Sequence, residues 1–172
     1  DYGADPTGAT NSQPAIQAAI AAAGLRGKVR IPAGVYKIEN SIIPSTSAYT
    51  EIVIEGDGPS TQIVNACGVS TPSFNGSGVS AWTIRDLCFT GNSSHKNNGI
   101  FIDGGLGVES LFWRIERVIV SMPGFGIYLK NTNSGVINQC RFWPQNQPYA
   151  SAPVVTDSDI NHFINMGGGY VH

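Results

Sequence analysis

Three polar residues of this sequence carry side chains suited to binding an anionic ligand, and two of them are candidates for acid–base chemistry. His162 can accept a proton near neutral pH, and Arg117 is the other candidate for that role. A cation such as Arg117 also stabilises the negative charge that develops on a ligand when the ligand loses a proton. Gln139 can hydrogen-bond hydroxyl groups or a carboxylate. We predict that the three side chains line up on successive rungs of a repeated bend, because each follows the same kind of strand.

Two aromatic residues complete the candidate site. Trp143 directly follows Phe142, which is predicted to point inward, so strand alternation predicts that Trp143 points outward. Tyr149 lies close by in the sequence. An exposed flat ring can stack on a sugar ring, and the alternative is a residue that packs in an interface or against a loop. Trp143, Gln139 and Tyr149 are therefore the candidate substrate-binding residues.

The same bend also has a purely structural interpretation. Stacking of the repeats places Arg85 beside Glu116 and Asp86 beside Arg117, with opposite charges one rung apart. Cross-strand ion pairs of this kind contribute a few tenths to about 1 kcal/mol each and need no catalytic role. The sequence leaves both interpretations open, as it does for His162, because a polar turn often holds a histidine without function.

Short recurring strands are the elements that position these residues. The segment WTIRDLCFTG (82–91) has three further copies, WRIERVIVSM (113–122), GVINQCRFWP (135–144) and SDINHFINMG (158–167), which lie 31, 22 and 23 residues apart. The predicted inward columns are Ile84, Ile115, Ile137 and Ile160; Leu87, Val118, Cys140 and Phe163; and Phe89, Val120 and Phe142. Trp82 and Trp113 are predicted to stack in the core. Such a period is typical of a solenoid, in which each repeat buries its apolar face on its neighbours.

A second strand column supports the same fold. Gly99–Asp103 (GIFID) matches Gly126–Lys130 (GIYLK) and sets Asp103 beside Lys130, and Pro153–Val155 continues the column. Strands that recur in one direction are parallel, and their crossovers are right-handed. No segment after Gly27 has helical periodicity, which excludes a doubly wound fold and a TIM barrel. We predict an all-β fold, a right-handed parallel β-helix of about five or six coils.

One helix is predicted, from Gln13 to about Ala23, after a turn-rich segment at Asp1–Ser12. An Ala-rich helix of this length is marginal by itself, so we expect it to cap the open end of the strand stack. The chain is predicted to form one domain, with an N-terminal cap over 1–27 and coils over 28–172. Because no polar cap follows the final Gly167–His172 segment, we expect the chain to be part of a longer β-helix.

Composition narrows the range of partners. A net charge of −2 gives no reason to expect nucleic acid or an anionic membrane, and no apolar run approaches the roughly 20 residues of a membrane span. The three cysteines, Cys67, Cys88 and Cys140, are expected to be free thiols. No cofactor is predicted; calcium stays open as an ion, although no acidic cluster is visible in the sequence.

The beginning of the chain carries a set of familiar segments: DYGA (1–4), TGATNS (7–12), AIQAAI (15–20), IPAGVY (31–36) and IEGDGPST (54–61). These segments resemble the opening of the pectate-lyase-superfamily β-helix proteins, a group similar to rhamnogalacturonases, epimerases and the tailspike depolymerases of bacteriophages. The resemblance implies the same fold and a polysaccharide as partner. It further implies an extracellular protein, secreted or carried on a virion tail, that forms a homotrimer at full length.

The resemblance implies an enzyme that degrades an extracellular or capsular polysaccharide, as a lyase or a glycoside hydrolase. A lyase acting on a uronate needs a base at C5, the role considered for His162 or Arg117. The short aspartate motifs of polygalacturonases are missing, and Asn131-Thr132-Asn133 lacks the carboxylate of the nearest one. Two other functions stay open: a non-catalytic carbohydrate-binding or structural fibre domain, and a sugar epimerase.

Overall fold

The strands stack in three parallel sheets, and this computed structural model describes residues 1–91, 97–105, 110–122, 124–143, 154–157 and 161–164, the last two ranges as backbone. Sheet A contains β1 (Thr7–Asn11), β3 (Gly34–Ile38), β5 (Thr61–Asn65), β8 (Cys88–Gly91), β12 (Ile119–Ser121) and β16 (Arg141–Phe142). Sheet B contains β2 (Lys28–Ile31), β4 (Val53–Gly56), β7 (Thr83–Arg85), β11 (Arg114–Glu116), β15 (Gly135–Asn138) and β18 (Asn161–Ile164). Sheet C contains β6 (Pro72–Asn75), β9 (Asn98–Asp103), β13 (Ile127–Lys130) and β17 (Val154–Asp157).

The order of the strands within each sheet follows the chain. Each coil passes through sheet B, then sheet A, then sheet C, and the next coil lies one strand further along all three. The pair β10 (Ser110–Leu111) and β14 (Thr132–Asn133) adds a small fourth sheet at the corner between sheets C and B. The predicted right-handed parallel β-helix is confirmed, and among the described residues six strands in sheet B mark six successive coils.

Apolar side chains that repeat from coil to coil fill the interior. Ile84, Ile115 and Ile137 pair in register in sheet B, and all three are buried. The two predicted core tryptophans, Trp82 and Trp113, are fully buried and stack with ring centroids 6.1 Å apart. Burial of each such side chain contributes about 1.5–3 kcal/mol, so the column supplies much of the adhesion between coils.

The fourth copy of the repeat departs from the prediction. Phe163 pairs with Ile137, so Phe163 and not Ile160 continues the isoleucine column. The predicted alignment of the last copy is therefore wrong by three residues, because isoleucine and phenylalanine are equally suitable for an inward column. His162 consequently lies level with Val136 on the strand and not level with Gln139 at the bend.

The N-terminal segment covers the first coil. Helix α1 (Gln13–Ala23) confirms the predicted helix and buries Ile16 and Ile20. Its N-cap residue Ser12 makes no side-chain cap, whereas Asn11 Oδ1 accepts a hydrogen bond from the Gln13 N–H at 3.1 Å. Part of the segment predicted as turn is strand β1, because its backbone groups pair with the edge of sheet A.

A ladder of charged side chains runs along the outer face of sheet B. Glu55 contacts Lys28 at 2.6 Å in one neighbouring coil and Arg85 at 2.8 Å in the other. Arg117 donates two hydrogen bonds to the Asp86 carboxylate, at 2.6 and 2.7 Å. These bonds hold the pKa of Asp86 below its usual value. The ladder thus joins coils through alternating charges.

Of the two ion pairs predicted at the bend, one is present in the structure. The Asp86–Arg117 pair is confirmed. Arg85 instead bonds to Glu55 in the preceding coil and not to the predicted Glu116, although Arg85 and Glu116 are paired in register. Glu116 lies 3.7 Å from Arg114 and 3.8 Å from Arg117.

Gly135 allows the core tryptophans to pack, and its replacement tests the inward column. A Cβ atom at Gly135 would overlap the Trp113 ring. We expect Gly135→Ala to cost about 1–3 kcal/mol, the usual cost of overpacking a core. The matched control is Gly68→Ala, where an added Cβ would make only an ordinary van der Waals contact, with Thr71 Oγ1 at 3.9 Å. Urea unfolding midpoints measure both variants, and equal midpoints would contradict the proposed packing.

The charge ladder predicts a pH-dependent contribution to stability. We expect Asp86→Asn to lose a few tenths to about 1 kcal/mol near neutral pH. Because the folded-state pKa of Asp86 is lowered from 3.8, this contribution is fully present above that pH and is lost as the pH falls further. The gap between the unfolding midpoints of wild type and variant should therefore close in acid.

A control for this titration is Glu51→Gln, which breaks an exposed ion pair with Arg26. Exposed pairs contribute little, so this variant should match the wild type throughout the titration. An Asp86→Asn gap that stays constant from neutral to acid pH would show that the Asp86 carboxylate charge does not stabilise the fold.

Candidate functional site

Two stacked aromatic rings lie on the outer face of sheet C. Strand alternation points Ile100 and Ile102 inward, where both are fully buried, and so turns Phe101 outward. Tyr128 pairs with Phe101 in the next coil, with ring centroids 5.2 Å apart and planes inclined by 14°. Phe125 extends the group at 5.9 Å from Tyr128 and is 40% exposed. The arrangement forms an apolar platform across two coils.

Charged and polar groups border this platform at the next outward position. The predicted Asp103–Lys130 ion pair is present, with Nζ 3.5 Å from Oδ2. Asn131 Nδ2 and the Gly105 N–H donate to Asp103 Oδ1 at 3.1 and 2.9 Å. These hydrogen bonds lower the pKa of Asp103 below its usual value, and the bond from the Gly105 N–H has the largest effect. Asp103 is therefore a carboxylate at neutral pH that holds Lys130 beside the aromatic platform.

The backbone register extends the charged row into the next coil. Asp157 pairs with Lys130, as Lys130 pairs with Asp103, so the three positions alternate in charge over three coils. In the same way Val155, an aliphatic residue, pairs with Tyr128 and occupies the next position of the column that contains Phe101 and Tyr128. Neighbouring positions in each column are separated by ~4.8 Å, the spacing of hydrogen-bonded strands.

The chemistry of this surface suits an extended, polar chain. Aromatic ring faces pack on the apolar faces of sugar rings, while carboxylate, amide and ammonium groups bond to hydroxyl or carboxylate substituents. The ammonium group of Lys130 can pair with an anionic substituent because nearly half of the Lys130 side chain is exposed. Each shifted carboxyl pKa in the described part of the chain is lowered, so these groups are carboxylates at neutral pH that accept hydrogen bonds and are weak bases.

Arg117 and Gln139 occupy equivalent positions at one bend. Asp86, Arg117 and Gln139 have backbone φ angles of 55°, 51° and 54°, the left-handed conformation that turns the chain from sheet B into sheet A. Arg117 is held by Asp86, and the hydrogen bond to Asp86 raises its pKa. This guanidinium therefore stays protonated and acts as a cation. Gln139 is exposed in the next coil.

The remaining predicted site residues lie elsewhere. Trp143 is 55% exposed and follows the buried Phe142, which confirms its predicted outward position at the end of sheet A. The guanidinium carbon of Arg141 lies 5.8 Å from the centre of the Trp143 ring. Tyr149 lies outside the described residues, and His162 lies in sheet B. Trp143 and the Arg117–Gln139 bend are thus separate from the aromatic platform on sheet C.

The aromatic platform was not nominated from the sequence, although a signal for it was present. The matched strands GIFID (99–103) and GIYLK (126–130) place an aromatic residue between two inward aliphatic residues in each copy. Parity alone therefore turns Phe101 and Tyr128 to the same outer face.

The arrangement of ionisable groups bears on metal binding. In the described ranges, no group of three or more histidine, cysteine or acidic side chains is close enough together to hold a metal ion. The acidic side chains of the ladder and of the platform are instead paired with lysine and arginine.

The helix of the described part of the chain is not long and apolar enough to cross a membrane.

Solved structures of carbohydrate-active proteins share this architecture. A candidate glycosyl hydrolase from Parabacteroides merdae ATCC 43184 is 14% identical with a TM-score of 0.74, over 97% of this chain and 92% of the other. The A-module of mannuronan C-5 epimerase AlgE4 from Azotobacter vinelandii is 26% identical with a TM-score of 0.67 over 98% of this chain. This chain spans 57% of that module.

A viral protein, ORF18 of Geobacillus virus E2, is 17% identical with a TM-score of 0.58, over 96% of this chain and 46% of the other. None of the curated protein sequences matches the chain. Residues 1–77 match the family described as rhamnogalacturonase A/epimerase, pectate lyase-like. The N-terminal part of the chain is therefore similar to the pectate-lyase-like family, and the described strands have the parallel β-helix fold.

Proposed function

We propose that the protein is an enzyme that acts on an extracellular polysaccharide held along the outer face of sheet C. The observation that carries the proposal is the stacked Phe101–Tyr128 pair bordered by the Asp103–Lys130 pair. The family match over 1–77 and the likeness to a mannuronan C-5 epimerase module support a carbohydrate substrate. The chain accordingly works outside the cell or on a virion tail.

Removal of a proton from a uronate is the reaction that these residues suit best. Glycoside hydrolysis needs one carboxyl group that stays protonated, with a raised pKa, to act as general acid. The described carboxyl groups with shifted pKa values, Asp103 among them, are all lowered. Lys130 can instead pair with the substrate carboxylate and stabilise the charge that develops when the C5 proton is transferred to a base, for which Asp103 is the carboxylate beside Lys130.

Lyases and C5 epimerases share this first step and differ in the second. A lyase expels the oxygen at C4 and leaves a double bond, whereas an epimerase returns a proton to the opposite face of C5. The 26% identity to the epimerase A-module over 98% of this chain favours the epimerase as the second candidate function. The Phe101–Tyr128 platform serves either reaction because it orients the ring without taking part in proton transfer.

The catalytic roles considered for His162 and Arg117 stay predictions. Because the pKa of Arg117 is raised by its hydrogen bond to Asp86, its role would be that of a cation that binds a substrate carboxylate. His162 lies in sheet B, in the sixth coil, and its role as proton acceptor is tested by His162→Ala in the assay below. Loss of turnover with an unchanged unfolding midpoint would assign it that role.

The reaction can be identified by incubating the protein with polymannuronate, polygalacturonate and a neutral glucan in deuterated water. A lyase generates unsaturated uronates and reducing ends together, and an epimerase incorporates deuterium at C5 without generating either. We expect the polyuronates to react by one of these two routes. Reducing ends without unsaturated products would show hydrolysis, and binding without any reaction would show a carbohydrate-binding or fibre domain.

Replacement of Tyr128 tests the location of the site. Tyr128→Ala removes one stacked ring, so we expect affinity for the polyuronate to fall roughly three- to tenfold with a small change in the unfolding midpoint. Trp143→Ala is the matched control, an exposed aromatic residue on sheet A. If Trp143→Ala weakens binding and Tyr128→Ala does not, the substrate lies against sheet A and the originally predicted Trp143 site is correct.

A further inference from the structure

Exposed apolar side chains concentrate at the corner where the chain passes from sheet C into sheet B. The large apolar side chains exposed in the described ranges are Tyr2, Leu25, Tyr49, Val69, Phe112, Phe125 and Trp143. Three of these seven, Leu25, Tyr49 and Phe112, belong to the same corner in different coils. Single exposed apolar residues are normal on a protein surface, but a row along one edge suggests a function.

Backbone hydrogen bonds align this row along the axis of the helix. The Glu51 N–H donates to the Leu25 carbonyl, and Tyr49 forms a parallel bridge with Ser80. The Ala81 N–H donates to the carbonyl of Leu111, the residue before Phe112, at 2.8 Å. Tyr49 and Phe112 therefore lie in the coils on either side of the small Ala81, about 10 Å apart by the strand spacing.

The conformation of Phe112 costs stability. Ala81, Phe112 and Ser134 occupy equivalent left-handed positions, with φ of 59°, 56° and 55°. Bulky residues are outliers in this region, and small ones are better tolerated. Phe112 is 58% exposed, so its side chain does not pack in the core and does not offset the cost of the left-handed backbone conformation. Residues that cost stability and stay exposed are characteristic of binding surfaces.

We propose that Tyr49 and Phe112 form a second polysaccharide-binding surface, separate from the outer face of sheet C. Two aromatic side chains in the coils on either side of the small Ala81 suit an extended sugar chain that lies along the helix axis. The proposal depends on the proposed function only for the class of ligand. It assigns the corner a role in retaining long polymers and none in the reaction.

A second copy of the chain is the competing occupant, and the available area argues against it. A stable protein interface buries roughly 800 Å² per partner. An aromatic residue buries about 150–250 Å² at most, and these three side chains are already nearly half covered. The row is therefore too narrow for an interface between copies, whereas a single sugar chain needs only a narrow strip.

Two surfaces on one protein predict different behaviour towards long and short ligands. A polymer that engages both surfaces gains from the high effective concentration of the second contact, and a hexasaccharide that occupies one surface does not. Phe112→Asn suits the left-handed backbone, so it should fold with an unchanged or raised unfolding midpoint. We expect this variant and the Phe112→Asn, Tyr49→Ser double variant to bind polymer roughly three- to tenfold more weakly and hexasaccharide normally.

The experiment is affinity electrophoresis in gels containing polymannuronate or polygalacturonate, alongside titration with the corresponding hexasaccharides. Val69→Ser is the control, because Val69 is similarly exposed outside the row. Tyr128→Ala, which affects the sheet C surface, should weaken both polymer and hexasaccharide binding, so failure of the two proposals can be told apart. Retention that is unchanged in the double variant, or absent in the wild type, overturns the second surface.

Sedimentation velocity on the same variants tests the competing occupant. We expect the double variant to keep the mass of the wild type while it loses retention in the polymer gel. A double variant that falls to a smaller assembly and keeps its retention would assign the corner to contact between copies, which overturns the proposal.

Discussion

Register between parallel strands is the constraint on which the rest of the structure depends. Each coil places its residues directly above those of the coil before, at the ~4.8 Å spacing of hydrogen-bonded strands. A side chain at one position therefore touches its equivalents in the next coils, whatever its chemistry. Inward positions become apolar columns such as Ile84–Ile115–Ile137, and outward positions become ladders of rings or charges.

The same constraint gives the three faces different properties. The outer face of sheet B is occupied by charges of alternating sign that satisfy one another, as in the Lys28–Glu55–Arg85 ladder. The outer face of sheet C combines aromatic rings with a charged row, which leaves partly exposed rings and an ammonium group at the surface. A face whose charges are already paired stabilises the fold, whereas a face with exposed rings beside charges can bind a ligand.

Much of the fold could be predicted from the sequence because inward columns require apolar residues at a fixed spacing. The columns through Ile84, Phe89 and Trp82 followed directly from three of the repeats. The fourth repeat was misplaced because an apolar residue type does not fix register when coil length varies, and Phe163 fits the column as well as Ile160. The error moved His162 away from the bend with which it had been aligned.

The binding surface was harder to predict than the core. Outward positions tolerate many residue types, so an outward aromatic residue such as Trp143 could be nominated from strand parity, but parity does not say which outward aromatic residue adjoins a charged row. That distinction depends on which strand follows which in three dimensions, and here on the pairing of Asp103 with Lys130 in the same sheet. The exposed Phe112 could not be recognised either, because its strained φ is a property of the folded corner.

Hydroxyl-radical footprinting of the protein with and without polyuronate tests whether the substrate lies on sheet C, since oxidation reports solvent access to each aromatic side chain. We expect bound polymer to protect Tyr128 and Phe125 on the outer face of sheet C and to leave Trp143 on sheet A as reactive as in the free protein. Protection of Trp143 with unchanged oxidation of Tyr128 and Phe125 would contradict this expectation.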